Sequence, residues 1–215
     1  MLGTSFKNKI LIRVDLLKNP LPLGMGSRQL IKECRNRVGT LADLMSTRYE
    51  DTRILIENPS AFGYDHGNVY FNEGYNMAGA NAAAKYLSQI IPEFSNGMSR
   101  VGTVLDTCHF LMAQQSIYAV RNAIPSNFPV QTLESEMMAC KDTIVQFHLA
   151  NMHQTGTEPL DHGCGFGPNP LDRGRLKSFF DKRASICPET FVVLELREDN
   201  YLNPINVEET LATLR

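Results

Sequence analysis

The sequence predicts an α/β fold with parallel strands. Short apolar runs alternate with amphipathic segments along the whole chain, which is typical of strands connected by helices. Five of the apolar runs lead directly into a carboxylate or a histidine, and the intervals between these polar residues are nearly equal. Each interval has room for a strand, a returning helix and the loops that join them, so we expect the five strands to run in the same direction.

The apolar runs that we assign to strands are short and rich in β-branched residues, as buried strands of a parallel sheet are. The predicted strands are Lys9–Val14, Arg53–Glu57, Val101–Leu105, Thr143–Leu149 and Thr190–Leu194.

Between them, apolar residues recur at helical spacing, and several of these segments stop close to a proline. The predicted helices are Ser27–Met45, Asn76–Ile91, His109–Ala123, Leu133–Ala139, Leu171–Ser185 and Val207–Leu214. We expect long loops at Asn58–Gly74 and Ala150–Pro170, because both stretches are interrupted by glycine and proline.

The bulk composition is that of an ordinary globular chain. At 215 residues, with 43% hydrophobic and 20% charged residues, the sequence predicts one domain spanning residues 1–215. The net charge of −2 gives no general attraction to nucleic acids, so any contact with DNA needs a local basic patch. Five widely spaced cysteines without a CxxC pair favour a reducing, cytoplasmic location, and no apolar run is long enough to predict a membrane span.

Polar residues at the ends of parallel strands meet at one rim of the sheet, where ligands bind in such folds. The residues that end the five runs are Asp15, Glu57, Asp106, His148 and Glu195. In the string Asp106-Thr107-Cys108-His109, a carboxylate and an imidazole are close enough to bind one cation. This donor set suits zinc, manganese or iron better than calcium, so the sequence predicts a metal site at this rim.

Each of these residues also has a simpler interpretation. Asp106 would cap a helix, Glu57 would be a solvated residue at a loop entry, and Arg197 would pair with Glu195. A lone histidine such as His148 is more often structural than metal-bound. Taken together, the simple interpretations require a polar residue at the end of every strand by chance, and we therefore prefer the metal site.

Five short strings also resemble the endonuclease IV family, which has a TIM barrel of the xylose-isomerase-like type. They are Leu55-Ile56-Glu57-Asn58, Val104-Leu105-Asp106-Thr107-Cys108-His109, Phe147-His148-Leu149, Asp161-His162 with the glycines after it, and Val193-Leu194-Glu195. The Asp-Thr-Cys-His string is the most specific of them. The resemblance covers roughly Arg53 to Leu196 and implies a partial or shortened TIM (β/α) barrel that lacks the first strands.

The resemblance implies a metal-dependent endonuclease that hydrolyses the DNA backbone at abasic sites, with zinc or manganese as cofactor and two or more ions in a complete site. It implies that Glu57 and Glu195 are catalytic and bridge the metals, and that Asn58 contacts the substrate. The other implied metal ligands are Asp106, His109, His148, Asp161 and His162.

Two alternatives remain open beside the nuclease. In sugar-phosphate isomerases and epimerases of the same barrel type, the two glutamates would hold one metal and move a proton beside a carbonyl group. The chain would otherwise be a non-catalytic remnant. An incomplete barrel leaves two open sheet edges, which predicts pairing with a second copy or with an N-terminal partner.

Overall fold

In the computed structural model of the protein, the described residues are 9–10, 39–48, 51–58, 62–65, 68–71, 76–120, 131–153 and 161–215. The strands among them are β1 (Lys9–Ile10), β2 (Arg53–Glu57), β3 (Phe62–Asp65), β4 (Asn68–Phe71), β5 (Val101–Asp106), β6 (Ile144–Leu149), β7 (Asn151–His153), β8 (Asp161–Cys164) and β9 (Phe191–Leu194). The helices among them are α1 (39–47), α2 (Met77–Ser88), α3 (Thr107–Val120), α4 (Leu133–Cys140), α5 (Pro170–Ile186) and α6 (Ile205–Thr213).

The main sheet has the strand order β1-β2-β5-β6-β9, which is the order of these strands along the chain. β1 pairs with β2, β5 with β6, and β6 with β9, each pair in parallel. Consecutive βα units of a TIM barrel follow this order, whereas a doubly wound sheet reverses its strand order at a switch point. The predicted α/β fold class, with parallel strands of a partial barrel, is confirmed.

The chain divides into two compact units, Met1–Ile56 with Asn81–Gly102 and Glu57–Ala80 with Thr103–Arg215. In the first unit, β1 and β2 pair in the register Ile10↔Ile54. The buried Arg100 donates to the carbonyls of Met45 at 2.8 Å and Thr52 at 3.3 Å, which ties the end of α1 to the start of β2. Our prediction of one domain over residues 1–215 stays a prediction.

The second unit is built around β5, β6 and β9. Phe147 of β6 is fully buried, and its ring meets that of Phe179 on α5 edge to face at 5.2 Å. On the helical side, the buried Glu136 of α4 accepts a hydrogen bond from the Met77 backbone at 2.5 Å. This contact satisfies an amide at the start of α2 that has no partner inside its own helix.

Two predicted loops contain β-hairpins. Within Asn58–Gly74, β3 and β4 pair antiparallel, and within Ala150–Pro170, β7 and β8 do the same. Glycine and proline dominated our interpretation of both stretches, but runs of three or four residues are enough to form a hairpin when the partner run lies close in sequence. The loop predictions were wrong at these positions.

The other predicted elements agree with the structure, with helix ends that differ by a few residues. α1 extends to residue 47, beyond the predicted end at Met45. Asp15 and the predicted segments 11–14 and 27–38 lie outside the described residues.

Within the described part of the chain, no helix has the length and apolar character that a membrane crossing requires. The proposal that an open sheet edge pairs with another chain stays a prediction. β9 has one described neighbour in the sheet, β6, and exposes Phe191 and Val193.

We predict that Phe147→Ala lowers the free energy of unfolding by about 3–5 kcal/mol, because it empties a fully buried site. The matched control Phe191→Ala, at a residue that is 49% exposed, should cost less than about 1 kcal/mol. Urea unfolding followed by circular dichroism measures both values. Equal losses in the two variants would contradict the described core.

Candidate metal centre

The sheet register of the second unit brings the predicted polar residues to one rim. Asp106, the last residue of β5, lies beside His148 on β6. Leu149 pairs with Leu194 at the end of β9, and Glu195 follows directly. Glu57 is the last residue of β2. In parallel strands these positions share one edge of the sheet, as the sequence predicted.

Four side chains converge at this rim: Glu57, Asp106, His148 and Glu195. Each offers one ligand atom, and these four atoms all lie within 4.8 Å of one another. His148 Nδ1 lies 2.5 Å from Glu195 Oε2 and 3.4 Å from Glu57 Oε1. The four ligand atoms are therefore close enough together to hold one cation.

The donor set fits a divalent cation. Three carboxylates lie within a few ångströms of one another, and the side chains of Asp106 and Glu57 are almost completely buried. Asp106 Oδ2 is buried and has no hydrogen-bond partner among the described residues. A buried carboxylate oxygen in that state is costly unless positive charge compensates it, either from the nearby imidazoles of His109 and His162 or from a cation. Three oxygens and one imidazole nitrogen suit manganese, zinc, iron or cobalt.

Asp106 also caps helix α3. Its Oδ1 accepts a hydrogen bond from the His109 backbone at 2.9 Å, which is the arrangement of an N-terminal capping carboxylate. The capping interpretation and the metal-ligand interpretation of Asp106 are therefore compatible, because each uses a different oxygen. Only Oδ2 is directed toward the other ligand atoms.

A second group of three residues shares Asp106 with the first: Asp106, His109 and His162. His109 Nδ1 lies 3.6 Å and His162 Nε2 lies 3.7 Å from Asp106 Oδ2. The two imidazole rings are 4.8 Å apart between centroids. This group could hold another cation, but it cannot use Asp106 Oδ2 independently of the first group.

The β7–β8 hairpin places His162 in this second group. His162 pairs with Met152 in the hairpin register, and the next residue, Gly163, has a positive φ of 79°. The Gly163 carbonyl accepts a hydrogen bond from the Arg197 backbone at 2.7 Å. The backbone of Asp161 belongs to β8, but its side chain lies outside the described part of the structure, so its predicted ligand role stays a prediction.

Asn58 has a different position from the one we expected of a substrate-binding residue. It is 1% exposed, and both polar atoms of its side chain bond to the backbone of Asp106. These two bonds give Asn58 a structural role at the site from within the fold, and its predicted contact with a substrate stays a prediction.

Gln146 was missed in the sequence. Its amide nitrogen lies 2.8 Å from His148 Nε2, so the ring nitrogen that faces away from the carboxylates has a partner. An amide nitrogen can only donate, whereas a His148 that is charged, or that binds a metal through Nδ1, carries a proton on Nε2. In either form the Gln146 amide must turn its oxygen toward Nε2, and it then orients the histidine with Nδ1 toward the metal. The signal was available, because residues two apart on a strand point to the same face.

The carboxylates shift the protonation of His148. Burial alone would lower its pKa, but the contacts with Glu195 and Glu57 outweigh burial and raise the pKa to about 9. The His148 contact in turn lowers the pKa of Glu195. For Asp106, burial is again outweighed, here by His162 and His109, and the pKa falls to about 2. At neutral pH the cluster without a cation therefore holds a charged imidazole in place of a metal.

Comparison with known proteins assigns no family. No family model and no curated protein matches the chain. Among solved structures, the chain is similar to the apo form of the 3-keto-D-glucoside 4-epimerase YcjR from E. coli, with 13% identity and a TM-score of 0.46. The alignment covers 96% of this chain, which spans 61% of the length of that epimerase. None of these comparisons shows the expected endonuclease IV family.

We predict that cation uptake releases a proton. Histidine binds metals in its neutral form, and the pKa of His148 lies near 9, so Zn²⁺ binding at about pH 7.5 should displace about one proton and tighten as the pH rises toward 9. Calorimetry in two buffers of different ionisation enthalpy counts the proton. Uptake without proton release, or affinity that is flat with pH, would contradict this protonation state.

The same raised pKa predicts a pH dependence of stability. A histidine whose pKa is higher in the folded state stabilises the fold fully below the unfolded pKa, which is about 6.5. This contribution should disappear as the pH rises from 6.5 through 9. Urea unfolding of metal-free protein across that range measures it, and His148→Gln should remove the dependence.

We predict that Gly163→Ala destabilises the protein more than Gly97→Ala. Both glycines have a positive φ, near 79° and 77°, so an alanine is strained by about 1–2 kcal/mol at either position. At Gly163 the new Cβ would also lie 3.3 Å from Arg197, whereas Gly97 has nothing within 4 Å. Urea unfolding compares the two variants, and equal losses would show that the close approach to Arg197 is unimportant.

Proposed function

We propose that the chain is a divalent-metal-dependent isomerase or epimerase that acts on a sugar or a sugar phosphate. The observation that carries this proposal is the four-residue group, in which two glutamates, one aspartate and one histidine surround space for a single cation. With two glutamates at one metal, one can act as a ligand while the other transfers a proton. Both functions are needed in a reaction that removes and returns a proton at the carbon next to a carbonyl group.

The two glutamates differ in exposure, and this difference suggests separate roles. The Glu57 side chain is 4% exposed, so it is suited to hold the cation. The Glu195 side chain is 40% exposed and reaches both solvent and His148. Glu195 is therefore the residue that can meet a substrate and take its proton.

In the proposed reaction, Glu195 removes the proton from the carbon next to the substrate carbonyl. The electron pair of that C–H bond moves toward the carbonyl oxygen and gives an enediolate of the substrate. A bound divalent cation supplies Lewis-acid stabilisation of that oxygen. Isomerisation is completed when the proton returns to the former carbonyl carbon and a hydroxyl proton moves from the oxygen that becomes the new carbonyl to the oxygen that becomes the new hydroxyl. Epimerisation instead requires a proton donor, water or an acid, on the opposite face of the carbon that lost its proton, and Glu195 then releases the removed proton to solvent. Without a cation, His148 Nδ1 lies 2.5 Å from Glu195 Oε2, so the fold places the proton acceptor beside the ligand histidine.

Hydrolysis of DNA at abasic sites is the second candidate. It is favoured by the group of Asp106, His109 and His162, which adds a place for another ion beside the first. Two metal ions a few ångströms apart stabilise the attacking and leaving oxygens of a phosphodiester. The number of ions bound per chain therefore separates the two candidates, and absence of any ion would favour a non-catalytic remnant.

The decisive experiment combines metal analysis with isotope exchange. Protein loaded with Mn²⁺, Co²⁺ or Zn²⁺ is incubated with ketoses and ketose phosphates in D₂O, and deuterium at the carbon next to the carbonyl is followed by NMR. We expect one tightly bound ion per chain and exchange with at least one substrate. Two or more ions, with chelator-sensitive cleavage of a duplex that contains an abasic site, would establish the nuclease instead.

We predict that Glu195→Gln lowers the exchange rate by about 10²–10⁴-fold at saturating metal, because it removes the proton acceptor, and that it also weakens metal binding, because Glu195 offers a ligand atom to the same site. Glu57→Gln should lower both the amount of bound metal and the exchange rate. His109→Ala should lower metal binding at the second group, which contains Asp106, His109 and His162. Glu189→Gln, at an exposed glutamate before β9, is the matched control and should leave both unchanged. If Glu195→Gln keeps wild-type exchange, the proposed proton transfer is wrong.

A further inference from the structure

Asn58 bridges the backbone of Asp106 at the end of β5. Its side-chain oxygen accepts from the Asp106 amide at 2.7 Å, and its side-chain nitrogen donates to the Asp106 carbonyl at 3.2 Å. A carboxamide has one acceptor side and one donor side, and here both serve the same residue. Asn58 therefore fixes the backbone from which the Asp106 carboxylate extends.

A second side chain at the rim makes the same kind of bridge. The Thr107 hydroxyl donates to the Ala150 carbonyl at 2.7 Å and accepts from the Ala150 amide at 3.0 Å. Asn58 follows β2, and Thr107 follows β5. In both cases a side chain just past the end of a strand forms the two hydrogen bonds to a neighbouring backbone that a strand residue would otherwise form. These bonds fix the backbone at the rim beyond the last strand residues.

The backbone carbonyl of Asn58 also favours one tautomer of the His109 ring. The Asn58 carbonyl lies 2.9 Å from His109 Nδ1. A carbonyl oxygen can only accept a hydrogen bond, so Nδ1 must carry the proton. Nδ1 faces Glu57 Oε1 at 3.5 Å and Asp106 Oδ2 at 3.6 Å, yet it cannot serve as a metal ligand while it holds that proton. Only Nε2 of His109 can then bond to a cation.

We propose that Asn58 is a positioning residue of the metal centre, which fixes the Asp106 backbone through its amide and holds His109 in the Nδ1–H form through its carbonyl. This role rests on the metal centre of the proposed function. Outer partners of this kind orient the metal ligands and often matter for affinity nearly as much as the ligands themselves. Asn58 is not among the residues that offer a ligand atom to a cation, so its effect on the metal passes through Asp106 and His109.

Wild-type protein provides the first test. In ¹⁵N-histidine protein loaded with Zn²⁺, NMR of the ring nitrogens should show His109 protonated at Nδ1, and with ¹¹³Cd²⁺ any metal coupling of His109 should be to Nε2. A His109 that lacks the Nδ1 proton, or that couples to ¹¹³Cd through Nδ1, would overturn the proposal. This measurement needs no variant of Asn58.

The second test measures Mn²⁺ affinity by calorimetry in Asn58→Ala and in a matched control, Asn151→Ala. Asn151 is equally buried and also makes two side-chain hydrogen bonds, but to Asp172 and Arg175. We expect Asn58→Ala to weaken Mn²⁺ binding by about 10–100-fold and Asn151→Ala to leave it unchanged, although both lower the thermal stability of the metal-free protein.

Asn58→Asp tests the bridge even if the alanine variant fails to fold. It keeps the size of the side chain and the acceptor for the Asp106 amide, but it cannot donate to the Asp106 carbonyl. Its added negative charge would by itself tighten Mn²⁺ binding, so weaker binding supports the bridge. Wild-type affinity in either folded variant would overturn the positioning role alone, whereas wild-type protein that binds no Mn²⁺ would overturn the metal centre as well.

Discussion

The cost of burying charge at one rim is the constraint on which the site depends. Glu57 and Asp106 are acidic side chains with almost no exposure, and Glu195 lies close to both. Removing such groups from water costs several kcal/mol each, and their mutual repulsion adds to that cost. The imidazolium of His148 offsets part of it. A divalent cation would offset more of this cost. Residues that would be unfavourable in a core without an ion are therefore favourable as a metal centre.

The fold meets this constraint by fixing the backbone where the strands end. Parallel pairing brings Asp106 beside His148, and side chains such as Asn58 and Thr107 continue the pairing past the strands. The β7–β8 hairpin then adds His162 from one side. A close group of like charges would otherwise move apart, so the precision of the site comes from neutral groups around it.

The sequence was sufficient for the parts of the structure that repeat. Apolar runs followed by Asp106 or His148 predicted both the parallel strands and their common rim, because strand direction places these residues without knowledge of distances. The sequence did not predict the β7–β8 hairpin, because glycine and proline in that stretch indicated a loop while neighbouring short runs were able to pair as strands. The role of Asn58 was also not predictable from the sequence. An asparagine after a strand can bind a ligand, cap a helix or bridge two backbone segments, and only its neighbours in the structure distinguish these roles.

The capping of α3 by Asp106 has a consequence for what can bind beside an ion. The helix begins at the residue after Asp106, so the partial positive charge of its N-terminus lies beside the ligand oxygens. That charge opposes a cation and favours an anionic group of an incoming molecule. A centre built against the end of a helix in this way holds a cation with its carboxylates and offers a neighbouring place for a negatively charged group of the substrate.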